Sequence, residues 1–187
     1  NHTYDTERII KAIRGMQPEI LIFNMWDPDT RWVGNELGIA QSPNVNIVNA
    51  LDFSVRTDKK ELLDEFVYMP AECDCRMREE NWFYSDSDED TVKSVDELLA
   101  LYYYSVGRGA NLLINIGPDR RGLLPEKDCQ NLLAFGKEIK ERFANTIPAS
   151  VRKEGNSYFC EFSSPCLVNH VVLQENLLTG RELNGFK

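Results

Sequence analysis

The chain has 187 residues, 42% hydrophobic and 27% charged, which predicts one globular domain, or one incomplete domain and the beginning of another, and excludes disorder. A formal net charge of −9 predicts a field that repels phosphate groups and therefore disfavours nucleic acids and anionic membranes as partners. No apolar run approaches the ~20 residues of a membrane-spanning helix, and residues 1–5 lack the pattern of a signal peptide.

The first predicted elements are a helix and a buried strand. Isoleucines at helical spacing predict a helix over residues 6–16, and the apolar run 19–24 predicts a parallel strand that is covered on both faces. A polar, aromatic-rich loop over residues 26–36 follows. Its functional groups should therefore lie just beyond the carboxyl end of that strand.

The middle of the chain has weaker patterns. We expect a strand over residues 45–48 and a short amphipathic helix over residues 59–66. Residues 67–74 predict a strand that enters another loop, and an aromatic cluster at residues 82–84 closes this segment.

Clear helix and strand signals return after residue 93. Ser94 and Glu97 form a capping-box pattern, which predicts the start of a helix. Residues 111–118 predict another buried strand with a polar exit, and residues 125–143 predict a long helix. Helix and strand thus alternate to about residue 145, which favours a parallel sheet or a (β/α) barrel over a helical bundle.

The carboxyl-terminal residues have a different pattern. Residues 157–162 and 168–173 predict strands without helices between them, so we expect a second, all-β module. We place the two domains at residues 1–147 and 148–187. Because so few strands cannot bury a sandwich core, we expect the chain to be truncated at this end.

The five cysteines predict neither a disulfide framework nor a metal site. Their spacing is irregular, and although Cys73 and Cys75 would share one face of a strand, no CxxC pair or nearby histidine completes a zinc set. We therefore expect reduced thiols, no metal and an intracellular location.

Four loop motifs carry a family resemblance. They are Arg31–Glu36, Pro70–Asp74, Trp82–Tyr84 and Asn111–Gly122. In these motifs and in their order, the chain resembles glycoside hydrolase family 29 α-L-fucosidases, in particular the subgroup that acts on α-1,3- and α-1,4-linked fucose. The resemblance covers most of residues 4–145, and the tail is similar to that family's β-sandwich.

The resemblance implies α/β architecture, namely the carboxyl-terminal half of a (β/α)8-like barrel followed by the first strands of a β-sandwich. It also implies a retaining exo-glycosidase without a cofactor, in which two carboxyl groups stand roughly 5 to 5.5 Å apart. The family's nucleophile is an Asp that would precede Asn1. We therefore expect an incomplete active site unless the missing amino-terminal part of the same protein supplies the rest. The expected partner is a fucosylated oligosaccharide or glycoconjugate.

Glu36 is the predicted general acid/base, because it matches the subgroup's proton shuttle and lies beside Trp32, where partial desolvation would suit proton transfer. Glu72 is the alternative, either in the same role or as a residue that supports the site. A solvated surface glutamate is the competing interpretation of Glu36. Asp27, Asp29 and Asp74 are also candidates, but aspartates in such loops more often occupy turn positions.

Arg31 matches an arginine that contacts fucose in relatives, but a structural ion pair that holds its loop explains it about equally well. Trp32 and Trp82 could stack on the C–H face of a sugar, and core packing is the alternative for both. The predicted substrate-binding residues are thus Arg31, Trp32, Glu72 and Trp82.

Two further interpretations remain open. Asp86, Asp88 and Asp90 approximate a calcium loop, but Thr91 replaces the turn glycine, so we expect a solvated acidic loop.

A sugar-binding or scaffold piece without turnover is the alternative to an enzyme, because the expected nucleophile is not among the residues of this chain. A barrel glycosidase with another sugar specificity, or with inversion, is a third possibility.

Overall fold

The computed structural model describes residues 3–52 and 60–174. Among these residues it has three α-helices and seven β-strands. The helices are α1 (Thr6–Met16), α2 (Val95–Ser105) and α3 (Glu126–Phe143). The strands are β1 (Arg31–Trp32), β2 (Ile47–Asp52), β3 (Lys60–Tyr68), β4 (Ala71–Arg76), β5 (Asn111–Asn115), β6 (Ser150–Glu154) and β7 (Ser157–Glu161).

Three of the four helices predicted from the sequence are confirmed, and each of the three starts at a residue with a local physical reason. The side chain of Asp5 accepts a hydrogen bond from the Arg8 amide at the start of α1. Ser94 and Glu97 form the predicted capping box of α2, and α3 starts directly after Pro125. None of the helices in the two described ranges is both long enough and apolar enough to cross a membrane.

A parallel sheet with the strand order β1-β4-β5 holds the centre of the molecule. In its register, Trp32 is opposite Glu72, and Glu72 is opposite Asn111. The α2 helix leads into β5 through Gly109, whose φ of 76° lies in the left-handed region. The fold is therefore mixed α/β, as the alternating sequence pattern predicted.

The two faces of this sheet differ. Along β4 every second side chain is buried, and Ala71 and Cys73 pack with Val33, Ala40 and Ala110 in one apolar cluster. The partners of these residues on the opposite face are half-buried or exposed. Because registered neighbours in a parallel sheet point to the same side, one set of residues shares this opposite face. We call it the polar face: Trp32, Glu72, Asp74, Arg76 and Asn111.

The buried strand predicted over residues 19–24 is wrong. The segment folds back on residues 29–30, with the amide of Asp29 donating to the Ile22 carbonyl at 2.8 Å, and only the bridge between Phe23 and Thr30 is strand-like. Leu21 is 73% exposed. A strand is buried on both faces only when neighbouring strands and helices cover it, and the described residues place none around this segment.

The helix predicted over residues 59–66 is also wrong for the described residues 60–66, and residue 59 lies outside the described part. These residues belong to β3, which pairs antiparallel with β2. The strand predicted at 45–48 begins at Ile47 instead. Pairing between these two strands outweighs the weak local preference for a helix.

The tail confirms one predicted strand and corrects another. Residues 150–161 form the β6–β7 hairpin, whose turn contains Gly155 with a φ of 59°. Residues 168–173 form no strand, because His170 packs on the helices: its Nε2 lies 2.7 Å from the Tyr103 hydroxyl, and its ring stacks on Tyr103 at 5.8 Å. The barrel, the sandwich and the boundary between residues 147 and 148 stay predictions.

Candidate active site

Asp74 and Trp32 form the centre of the polar face. Asp74 is the fourth residue of β4, and its carboxylate accepts a hydrogen bond from the indole nitrogen of Trp32. Burial raises the pKa of Asp74 above its ordinary value, and the nearby negative charge of Glu36 acts in the same direction. The hydrogen bond from Trp32 opposes this shift only in part. Asp74 is therefore a carboxyl group that is easier to protonate than a solvated aspartate.

The chain reverses tightly after β1, and this reversal places Glu36 near the carboxyl group of Asp74. Leu37 forms an antiparallel bridge with Cys75, and the Gly38 amide donates to the Asp74 carbonyl at 2.9 Å. Glycine is required at this position, because φ is 72° and a Cβ would lie 3.1 Å from that of Cys75. Glu36 is thus fixed beside the carboxyl half of β4. Its side chain is exposed, so the desolvation that we expected around it is not present among the described residues.

Glu72 lies on the same face but at the opposite end of the strand. It is the second residue of β4, so the predicted position on a strand exit is wrong. Its Oε2 accepts a hydrogen bond from Asn111 Nδ2 at 2.9 Å. Two residues along a strand correspond to roughly 6.6 Å, so Asp74 is nearer than Glu72 to the end where Glu36 lies. This geometry favours the supporting role for Glu72.

Trp82 extends the polar face beyond the carboxyl end of β4. The guanidinium carbon of Arg76 lies 5.8 Å from the centre of its ring, a cation–π contact. Arg76 also donates to the Glu80 carbonyl at 2.9 Å, which ties the backbone before Trp82 to the strand. Trp82 is half-buried, so part of its ring surface remains available to a ligand.

Arg31 is not brought together with the other predicted residues. It precedes Trp32 in β1 and therefore points to the opposite face of the sheet. Its guanidinium donates to Asn44 Oδ1 at 2.7 Å and to the Val45 carbonyl at 2.9 Å, and it lines a cavity of about 230 Å³ whose lining includes neither Trp32 nor Glu36. The placement corrects the expected proximity and favours the alternative that Arg31 holds a loop.

Asp74 is the residue that sequence reasoning missed. We assigned it to a turn, although charged and apolar residues alternate from Ala71 to Arg76, which is the signal of a half-buried strand. That alternation, once recognised, is enough to place Glu72, Asp74 and Arg76 on one face of the strand.

The acidic run at residues 86–90 is only partly the solvated loop that we expected. Asp86 and Asp90 are exposed, but Asp88 is fully buried and bonded to Arg78. In the two described ranges, no three His, Cys, Asp or Glu side chains are grouped so that they could hold a metal ion. Calcium therefore finds no ligand set among these residues.

The two buried cysteines are chemically quiet. Burial raises the pKa of Cys73 and of Cys75 to about 11, so both thiols stay protonated at neutral pH. Both side chains contribute to the apolar core of the sheet.

The polar face can therefore supply two kinds of interaction. The carboxyl groups of Glu36 and Asp74 can move or hold protons, and the indoles of Trp32 and Trp82 offer flat apolar surfaces. This combination suits a carbohydrate, which presents hydroxyl groups on its edge and C–H bonds on its faces.

Comparisons with known proteins point in the same direction. Residues 55–142 match the family model described as alpha-L-fucosidase. The chain is 31% identical over 159 residues to alpha-L-fucosidase 1 of Arabidopsis thaliana, a match that covers 79% of this chain and 31% of the plant protein.

Two solved structures share the fold. A glycoside hydrolase family 29 member from an unknown rumen bacterium superimposes with a TM-score of 0.74 at 30% identity, over 87% of this chain and 30% of that one. A Ruminococcus gnavus family 29 fucosidase in complex with fucose gives a TM-score of 0.66 at 25% identity, over 81% and 33% of the two chains.

The chain spans about a third of the length of these relatives. The family model and the plant relative rest on sequence, whereas the two superpositions rest on the fold. Both lines of comparison support the same assignment for this chain, the glycoside hydrolase family 29 α-L-fucosidase family.

Proposed function

We propose that this chain is part of a retaining exo-α-L-fucosidase that removes terminal α-1,3- or α-1,4-linked L-fucose from glycans. One observation carries the proposal: Asp74 on the polar face accepts a hydrogen bond from the indole of Trp32 and interacts with the charge of Glu36, and Arg76 on the same face contacts the ring of Trp82. The relatives named as fucosidases, one of them in complex with fucose, supply the sugar.

The proposed architecture places this face inside a barrel. In a (β/α)8 barrel, active sites lie at the carboxyl ends of the parallel strands. The polar face of this sheet would then point towards the barrel axis. The sheet β1-β4-β5 would then be the carboxyl-terminal half of such a barrel, and residues 148–187 would begin a β-sandwich.

The proposed mechanism is a double displacement in which residues outside this chain supply the nucleophilic carboxylate. That carboxylate attacks the anomeric carbon while Glu36 gives its proton to the leaving glycosidic oxygen. Glu36 then removes a proton from water, which attacks the glycosyl ester and releases fucose with its original configuration. The two reacting carboxyl groups would stand roughly 5 to 5.5 Å apart.

The other residues of the polar face would bind and orient the sugar. Asp74 fixes the indole of Trp32 through its hydrogen bond and places a second carboxyl group beside Glu36. Trp32 and Trp82 offer apolar surfaces to the C–H bonds and to the methyl group of fucose. Glu72, held by Asn111, supports the base of the site.

Substitution of Glu36 tests the proposed role. In the complete protein, Glu36→Gln should lower hydrolysis of a natural fucoside by about 10²- to 10⁴-fold, because the leaving oxygen then receives no proton. An activated aryl fucoside needs no such proton for the first step and should lose less. Glu65→Gln, an exposed glutamate on β3, is the matched control and should retain full activity.

Azide rescue distinguishes a lost proton shuttle from a misfolded site. With Glu36→Ala and an aryl fucoside, azide should attack the glycosyl ester, so that a C–N bond forms, the ester C–O bond breaks and α-fucosyl azide is released. Unchanged hydrolysis of natural fucosides by both Glu36 variants would remove Glu36 from this role, and Glu72 would become the candidate.

The linkage requires its own assay. The complete protein should hydrolyse α-1,3- and α-1,4-fucosylated oligosaccharides faster than a 2-linked fucoside. Equal rates would contradict the subgroup assignment but not the fucosidase activity. Binding of fucosides without any turnover would contradict the enzyme and support a carbohydrate-binding module.

A further inference from the structure

Just after the carboxyl end of β4 lies a buried ionic cluster, in which Arg78 binds both Asp88 and Asp128. Arg78 donates to both carboxylate oxygens of Asp128, from Nε at 3.0 Å and from its terminal NH2 group at 2.7 Å, and to Asp88 at 2.7 Å. Arg78 is 7% exposed, Asp88 0% and Asp128 1%. The cluster joins the end of β4, the 3₁₀ turn at residues 89–91 and the first turn of α3.

This cluster also binds the segment that carries Trp82. We call residues 79–87 the tryptophan segment. The second carboxylate oxygen of Asp88 accepts a hydrogen bond from Asn81 Nδ2 at 3.0 Å, and Arg78 donates to the Ser85 carbonyl at 3.1 Å. The tryptophan segment is thus bonded to the cluster on both sides of Trp82.

A close backbone contact restrains the same segment from the side of β5. A Cβ at Gly117 would lie 2.5 Å from the Tyr84 nitrogen and 2.9 Å from the Phe83 carbonyl carbon, so only glycine fits at this position. The Arg78 guanidinium also lies 5.6 Å from the centre of the Tyr84 ring. Together with the contacts of Arg76, these restraints leave the segment little freedom.

A buried cluster with two carboxylates and one guanidinium is a weak source of stability, because desolvation of the charges offsets their attraction. Its geometric effect is more specific. We propose that Asn81, Asp88 and Arg78 are positioning residues that fix the tryptophan segment, so that Trp82 is held ready beside the polar face before the sugar arrives. The consequence for substrate binding rests on the proposed fucosidase function, whereas the restraint on the segment does not.

Asn81→Ala is the sharpest perturbation, because Asn81 is exposed and its removal leaves all the buried ion pairs in place. Loss of one such hydrogen bond should speed amide hydrogen exchange within residues 80–87 by about fivefold. It should also raise KM for an aryl fucoside by about fivefold and leave kcat within about twofold. The substrate must then order the tryptophan segment as it binds, whereas in the wild type the segment is ordered beforehand. Asn145→Ala, another exposed asparagine, should change neither quantity.

Gly117→Ala tests the restraint by an independent route, and it should accelerate exchange in the same residues and raise KM in the same way. Unchanged exchange in both variants would overturn the proposal. If the wild-type protein hydrolyses fucosides and the variants show faster exchange but an unchanged KM, the proposed link to substrate binding is overturned. If the wild-type protein hydrolyses no fucoside, the proposed function fails, and exchange alone still decides whether the segment is restrained as proposed.

Discussion

Replacement of Arg78 by methionine should destabilise the protein strongly. The substitution keeps a long side chain but removes the hydrogen bonds to Asp88 and Asp128. Two carboxylates that are almost inaccessible to water then remain without their cation. Removing one partner of a buried ion pair costs about 3–5 kcal/mol, so we expect the free energy of unfolding to fall by at least about 3 kcal/mol at pH 7.

The loss should depend on pH, and its sign follows from Asp88. Burial alone would raise the pKa of Asp88, but hydrogen bonds from Asn81 and Arg78 outweigh it and hold the pKa below its ordinary value. In the wild type this carboxylate therefore contributes stability above its unfolded pKa and loses it as the pH falls. Without Arg78, the hydrogen bonds no longer outweigh burial, and the pKa of Asp88 should rise. The variant should thus recover stability, relative to wild type, between about pH 7 and pH 4.

Urea denaturation followed by circular dichroism, repeated across this pH range, measures both effects. Arg8→Met is the matched control, because Arg8 is exposed and pairs with the exposed Asp5. The control should unfold as the wild type does. A loss of less than about 1 kcal/mol for Arg78→Met, or a difference from wild type that widens as the pH falls, would refute this reasoning.

Three other predictions concern single residues. In Glu36→Gln the pKa of Asp74 should fall towards its ordinary value, because the negative charge of Glu36 that helps to raise it is gone. Carbon-13 NMR titration of the Asp74 carboxyl group measures this pKa, and an unchanged value would contradict the proximity of the two groups. Ser94→Ala should cost about 1 kcal/mol of stability through the lost cap and should raise the lowered pKa of Glu97, whose largest cause is the Ser94 hydrogen bond; urea titration and NMR check both. Leu98→Ala should cost about 2–5 kcal/mol in urea denaturation, because Leu98 is fully buried in a second apolar cluster, and a cost below about 1 kcal/mol would contradict that packing.

Much of the fold could be predicted from the sequence where local signals and tertiary structure agree. The helices α1 and α2 have side-chain caps, α3 follows Pro125, and turn residues bound both β5 and β7. The strand β6 was not predicted. Residues 60–66 were misassigned because the pairing of β3 with β2 is a long-range interaction that no local pattern reports. The run 19–24 failed for the same reason, since its apolar composition does not specify a neighbour.

The candidate site was predictable only in part. Trp32 lies on the polar face, and Trp82 contacts Arg76 beyond the end of β4. The two-residue period of β1 separates Arg31 from Trp32, and we did not apply that period to the motif. Asp74 was missed because we assigned it to a turn. The Arg78 cluster could not have been found, because its members are up to 50 residues apart in the chain.

A titration of the complete protein with L-fucose, followed through nitrogen-15 NMR of its tryptophan indoles, tests the central claim most directly. Trp32 and Trp82, assigned with Trp→Phe variants, should shift together and give one dissociation constant, because Trp32 is bonded to Asp74 and Trp82 contacts Arg76 on the same face of β4. If the protein hydrolyses fucosides and binds L-fucose but neither indole signal moves, the polar face of this sheet does not hold the sugar.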